Sequence, residues 1–362
     1  MAIEKKSGAM IDMTIGKPIS LILGFAIPML LGTLFQQFYS MADTVIVGRF
    51  LSVHALAGVG STAAINFLIN GFVIGMSSGF AIPVAQRFGA RDYVDMRKFV
   101  ANTIWLSLIF SVIVTGIVAL FTRQLLILTQ TPREILPYAY EYIFIIFLGI
   151  PTTYLYNVTA SLIRALGDSK TPVYFLILAS VVNIVLDFVS IVFLGFSVNG
   201  PALATVFSQA VSGVCCIFYM RKKFPLLRFA PREMQLDARK CWILLSMALP
   251  MGLQYSITAI GSVVLQSAVN MLGTVTVAAV TAGQKISMFF CCVYDALGAT
   301  MATYAGQNVG AGKLQRVQDG VYAATRIGMI YGLLAFLVCF LLGDKLPLLF
   351  LSPDQVEIVQ RA

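Results

Sequence analysis

One histidine, two tryptophans and charged side chains at only 11% of 362 positions set the first limits on this sequence. Ordinary soluble domains carry about 25% charged residues, so a water-soluble globular enzyme is excluded. With His54 alone, neither a His-based catalytic triad nor a di-His metal site can be assembled. Six cysteines are present, but Cys215/Cys216 and Cys291/Cys292 are adjacent pairs inside apolar runs, and Cys241 and Cys339 stand alone. No CxxC or Cys/His zinc spacing results, and the six read as small packing residues. Nucleotide motifs fail as well. Gly58-x-Gly60 lacks its third glycine and leads into an apolar run instead of joining strand to helix. The stretch GQNVGAGK at 306–313 has its first glycine one residue out of register, and Leu314 follows it in place of Ser or Thr.

Apolar residues are what the chain does have, at 59% of positions and a mean hydropathy of +0.87. Apolar windows of membrane-spanning length lie at 18–42, 54–82, 98–121, 137–157, 170–193, 199–220, 241–268, 276–305 and 320–343. The expectation is an all-α polytopic membrane protein with nine full spans and the start of a tenth before Ala362. No small-residue cleavage site closes a short apolar region near the start, so no cleavable signal peptide is expected. Asn157-Val-Thr159 has the form of a glycosylation sequon but falls inside a span, where it could not be modified.

The net charge of +9 is a topology signal. Alternate loops place nineteen Lys and Arg on one side (Lys5 to Lys17, Arg87 to Lys98, Arg164, Lys170, Arg221 to Lys240, Lys313, Arg316 and Arg326) against five on the other. Lys285 is left within a span. By the positive-inside rule the N-terminus and the 221–240 connection are cytoplasmic, in an inner (plasma) membrane protein that needs no nucleic-acid partner.

The chain also repeats. A shift of 222 residues lays Ala26, Pro28, Met29 and Leu31 on Ala248, Pro250, Met251 and Leu253. A shift of 221 lays Gln86-x-x-Gly89-Ala90 on Gln307-x-x-Gly310-Ala311 and Thr131-Pro132 on Ser352-Pro353. Six spans separate equivalent points, so the repeats are parallel. The expected organisation is a six-helix lobe over 1–220, a cytoplasmic linker over 221–240 and an incomplete second lobe over 241–362. A complete second copy would add about 80 residues, so the reading expects C-terminal truncation.

Asp43, Asp187 and Asp295 fall in apolar stretches, where an ionisable group usually faces a polar cavity and has a role. Asn183 shares a helix face with Asp187, and Gln36 and Tyr39 share one with Asp43, beyond the bend expected at Pro28. Carboxylates among amides and hydroxyls suit either reversible protonation or a hard cation, and residue types alone leave proton and sodium equally open.

Together these positions resemble the multidrug and toxic compound extrusion (MATE) family, in its prokaryotic proton-coupled branch. The resemblance rests on Pro28, Tyr39 and Asp43, on Tyr142 and Asn157, on Asn183-x-x-x-Asp187 and on Thr205. Val47-Gly48-Arg49, both Q-x-x-G-A motifs and Arg164-Ala-Leu-Gly-Asp168 match as well. It implies a secondary-active antiporter, not an enzyme, that acts as a monomer and exports organic cations in exchange for H+ or Na+. No cofactor is implied, and no metal beyond possible Na+. Asp43, Asp187, Asn183, Asn157, Thr205, Tyr142 and Tyr39 would be the coupling residues. The helix-seven Glu of the sodium-coupled branch is replaced by Ile257. Phe35, Gln36, Tyr154, Gln254, Tyr255, Gln284, Met288 and Phe289, with Asn270, are candidate substrate-lining residues through apolar and cation–π contact. The alternatives are a lipid-linked saccharide flippase of the same superfamily, expected to show several cavity cations, and a membrane-embedded enzyme or receptor.

Overall fold

A computed structural model of the chain describes residues 11–270, 274–343 and 346. The described residues contain eleven α-helices and no strand: Pro18–Phe50 (α1), Val53–Ser61 (α2), Ala63–Gly89 (α3), Tyr93–Leu128 (α4), Leu136–Leu148 (α5), Ile150–Ala165 (α6), Lys170–Phe188 (α7), Asn199–Lys223 (α8), Ala238–Asn270 (α9), Thr274–Gly310 (α10) and Leu314–Leu342 (α11). Helix is the form that satisfies every backbone group within a single apolar segment. The boundaries are set locally. Ser52 accepts from Ala55 N, and Asp92 accepts from Asp95 N. Asp168 accepts from Lys170 N and Thr171 N, opening α7, and is also bonded by the Tyr219 hydroxyl.

Eight spans are long and apolar enough to cross a membrane, with α2 and α3 forming one of them, and α5–α6 makes a ninth if counted as one bent span. The 137–157 window is thus corrected to two helices meeting at 47°. Pro151 has no N–H to continue the ladder, and Gly149 is pressed so closely on Val206 that a Cβ would not fit. Helix α1, in contrast, is unbroken through Pro28. The expected tenth span, Ser352-Pro353 and the side chains of Asn270 and Lys285 lie outside the described residues.

Helices α3, α9 and α10 carry the contact between the two repeats. Added Cβ atoms at Gly75 and Gly79 would strike the α9 backbone at Met251 and Ala248. At Gly89 a Cβ would strike the Gln307 carbonyl, and at Gly310 the Gln86 carbonyl. The two Q-x-x-G-A motifs therefore pack reciprocally, backbone against backbone. Residues 11–14 are bolted across this end. Ile11 N donates to Gly167 O (2.9 Å), Met13 N to Gln307 Oε1 (3.0 Å) and Asn308 Nδ2 to Met13 O (3.1 Å). Gln307 Nε2 donates to Ala165 O (2.9 Å), and Met13 is fully buried.

The 221–240 connection between the repeats is held in place along its length. Helix α8 runs to Lys223, and two 3₁₀ turns, Pro225–Leu227 and Pro231–Met234, lead to α9. This stretch is moored to α4. Arg97 donates to both Glu233 oxygens (2.8 and 2.7 Å), Trp105 Nε1 to Met234 O (2.9 Å), and Asp237 N to Asn102 Oδ1 (2.8 Å). The Arg97 guanidinium, with help from Ala230 N–H, pushes the Glu233 carboxyl down to about 2. Its contribution is therefore complete above the ordinary Glu value of ~4.3 and is lost only as pH falls through about 2. Hydrogen exchange of residues 228–237 is expected to stay slow at pH 4, whereas Arg97→Ala is expected to speed it at pH 7 by a local loss of ~1.5–3 kcal/mol. Slow exchange in that variant would show that the mooring does not depend on the pair.

Candidate functional site

Asp43 and Asp187 meet between α1 and α7, within reach of each other and of Tyr39 and Tyr142. Asn183 and Asp187 are both fully buried, one helical turn apart on α7. Asn183 Nδ2 donates to Thr205 Oγ1 on α8 (3.2 Å), and Thr205 in turn faces Tyr39. Tyr142 closes the group from α5 at 7% exposure. Immediately after Asp187 the helix widens into a π-turn over Val189–Phe193, where Ser190 Oγ donates to the Asp187 carbonyl (3.0 Å). Widened turns of this kind often mark functional positions.

The charge balance is what makes this group chemically active. No donor among the described residues reaches Asp187 Oδ1, Asp187 Oδ2 or Asp43 Oδ1. The three ion pairs found among the described residues use Asp95 and Glu233 instead. Two adjacent carboxylates in such surroundings cannot both stay charged without a cation.

Asn157 does not join this group by any hydrogen bond among the described residues. Its amide donates to Thr153 O on its own helix (2.9 Å). Pro28 lies fifteen residues before Asp43 on α1 and leaves the Gly24 carbonyl without its helical donor.

A second polar region lies between the repeats. A cavity of about 280 Å³ is walled by α3, α6, α9 and α10, with Arg164 and Ser161 on one side and Gln254, Tyr255 and Asp295 on the other. Arg164, a loop cation by the charge count, instead belongs to α6, donates to Ser161 Oγ (2.7 Å) and faces this cavity. No carboxylate among the described residues lies within ion-pair distance of it.

Of the substrate-lining candidates, Gln254 and Tyr255 line this cavity. Phe289 packs on Phe38 with ring centroids 5.9 Å apart, joining α10 to α1. Phe35, Gln36, Gln284 and Met288 are exposed on α1 and α10. Tyr154 is 2% exposed and borders a different cavity, between α4, α6 and α8. The parts missed by sequence reasoning are the π-turn, the inward placement of Arg164 and the bolt at residues 11–14. The Arg164-Ala-Leu-Gly-Asp168 motif held part of the signal. Gly167 adopts φ +92° with its Cα against Ile11 O, and Asp168 caps α7.

Comparison with known proteins places these features in context. A family model described as MatE matches residues 28–189 and 250–362. The chain is 28% identical over 338 residues to the probable multidrug resistance protein YoeA of Bacillus subtilis (strain 168), covering 91% of this chain and 73% of that protein. It is 30% identical over 349 residues to the probable multidrug resistance protein YpnP of the same organism, covering 95% and 77%. Among solved structures it superposes on an outward-facing multidrug resistance MATE family transporter of the MOP superfamily with a TM-score of 0.90. That match is at 24% identity, covers 99% of this chain and 79% of the other, and bears on the fold alone.

Proposed function

Because the chain belongs to the MatE family of multi-pass membrane transporters, which are not enzymes, we propose that it exports organic cations in exchange for H+ or Na+ by alternating access. The observation that carries this reading is the pair Asp43/Asp187, half-buried and buried respectively, with no counter-cation or other side-chain donor among the described residues on three of its four oxygens. An incoming proton or Na+ relieves that repulsion. Its arrival alters the contact of α1 with α7, and the donor-free turn at Pro28 gives α1 a place to bend in response. Asn183, Thr205, Tyr39 and Tyr142 position the pair. In this reading the basic-loop end faces the cytoplasm, so the close packing of α3 on α9 and α10 shuts the cytoplasmic side.

The test is uptake of a fluorescent cation such as ethidium into proteoliposomes under an imposed pH or Na+ gradient. One gradient is expected to drive uptake against the dye's own gradient. Equal uptake with and without either gradient would overturn the proposal. The flippase alternative called for several cavity cations, and Arg164 is the one that lines the inter-repeat cavity among the described residues.

A further inference from the structure

Away from the carboxylate pair and the inter-repeat cavity, a second chamber of about 780 Å³ opens between α4, α6, α8 and the moored connection. Its walls are largely apolar, with Ile104 and Leu108 from α4, Val158 and Leu162 from α6, and Phe224 and Leu227 roofing it. Two features separate it from a gap in side-chain packing. Arg221 and Arg228 line its basic-loop end, and no carboxylate among the described residues lies within ion-pair distance of either. Moreover, Ser107 Oγ and Tyr154 OH, on residues 9% and 2% exposed, border the chamber and have no hydrogen-bond partner among the described residues. Buried hydroxyls in a native interior are ordinarily paired, so two unpaired donors at one cavity point to an occupant that brings acceptors.

At the basic-loop end are two guanidinium groups suited to a phosphate. Further along the chamber the Ser107 hydroxyl of α4 and the Tyr154 hydroxyl of α6 offer donors to ester carbonyls, among apolar walls. A charged head, ester linkages and hydrocarbon are the groups a phospholipid brings. Basic pockets between membrane helices on the positive side are suited to anionic headgroups.

We infer that this chamber holds an acyl chain of one anionic phospholipid from the basic-loop-side leaflet, with its phosphate between Arg221 and Arg228. The lipid bridges the end of α8, the connection and α4, and so adds to the mooring made by Arg97 and Glu233. This site is independent of the coupling pair, and its fate does not depend on whether that pair carries H+ or Na+.

The test uses the purified protein in nanodiscs of phosphatidylglycerol and phosphatidylcholine with identical acyl chains, followed by native mass spectrometry of retained lipid. The native protein is expected to retain one phosphatidylglycerol in preference to phosphatidylcholine. Arg221→Gln and Arg228→Gln, both at exposed positions, should each reduce that preference on the order of 5-fold and together abolish it. Ile104→Trp, which fills the chamber from a partly exposed position, should lower retention of both lipids. Equal retention of the two lipids by the native protein, or an undiminished preference in the double arginine variant, would overturn the assignment.

Discussion

Asp187→Asn is expected to bring gradient-driven export down to the level of protein-free vesicles, a fall of at least ~10-fold, or more than 1.4 kcal/mol in coupling terms. The substitution keeps size and shape and removes only the capacity to exchange a cation. Asp187 is fully buried, and among the described residues no group other than the partner carboxyl donates to three of the pair's four oxygens, so the pair has no opposite charge to offset it. A neutral amide removes that cost, and thermal unfolding of the variant should come at the same temperature or higher. Loss of export with retained stability separates a coupling role from a packing role. Asp43→Asn should act in the same direction, and the double variant should be no worse than either single one, since both carboxyls belong to one cation-holding unit. Export that survives intact in both single variants would sink the assignment.

The apolar windows were legible because a helix in hydrocarbon advertises itself over about twenty residues, and the described helices follow them closely. That Asp43, Asp187 and Asn183 would come together was legible for a related reason. Asp43, Asp187 and Asn183 are costly residues in apolar runs, and helical spacing fixes which of them share a face. What stayed hidden depends on long-range geometry. Arg164 is the next-to-last residue of a short helix, and a charge count by loop cannot tell a solvated cation from one turned into a seam. The π-turn after Asp187 has no composition of its own: Val189-Ser190-Ile191-Val192-Phe193 reads as ordinary helix. The mooring of the 221–240 connection rests on Arg97 and Trp105, more than a hundred residues away, and no local pattern points to that partnership.

Gly310→Ala is expected to pry open the basic-loop end. The sequence shows Gln86-x-x-Gly89-Ala90 and Gln307-x-x-Gly310-Ala311 as copies, and the structure shows that each copy's glycine admits the other copy's glutamine carbonyl. Such contact requires hydrogen at both Cα positions, because a methyl group at either one occupies the space of the opposing oxygen. The atoms in the way are backbone, so no side chain can swing aside, and the helices themselves must separate. Overpacking of this kind costs ~1–3 kcal/mol, enough to change the ratio of closed to open forms at this end by about 5- to 150-fold. The Gln307 side chain moves with its helix, so its bonds to Met13 N and Ala165 O should break together. Hydrogen exchange should therefore quicken in residues 11–14, 86–91 and 307–313 at once. Gly89→Ala should give the same pattern from the other copy. Gly116→Ala and Gly261→Ala provide the contrast. Both are helical glycines with open space where a Cβ would go, and alanine there should leave exchange at this end unchanged while adding helix stability of ~0.5–1 kcal/mol. If Gly310→Ala behaved like those two controls, the reciprocal contact would not be what holds the two repeats closed.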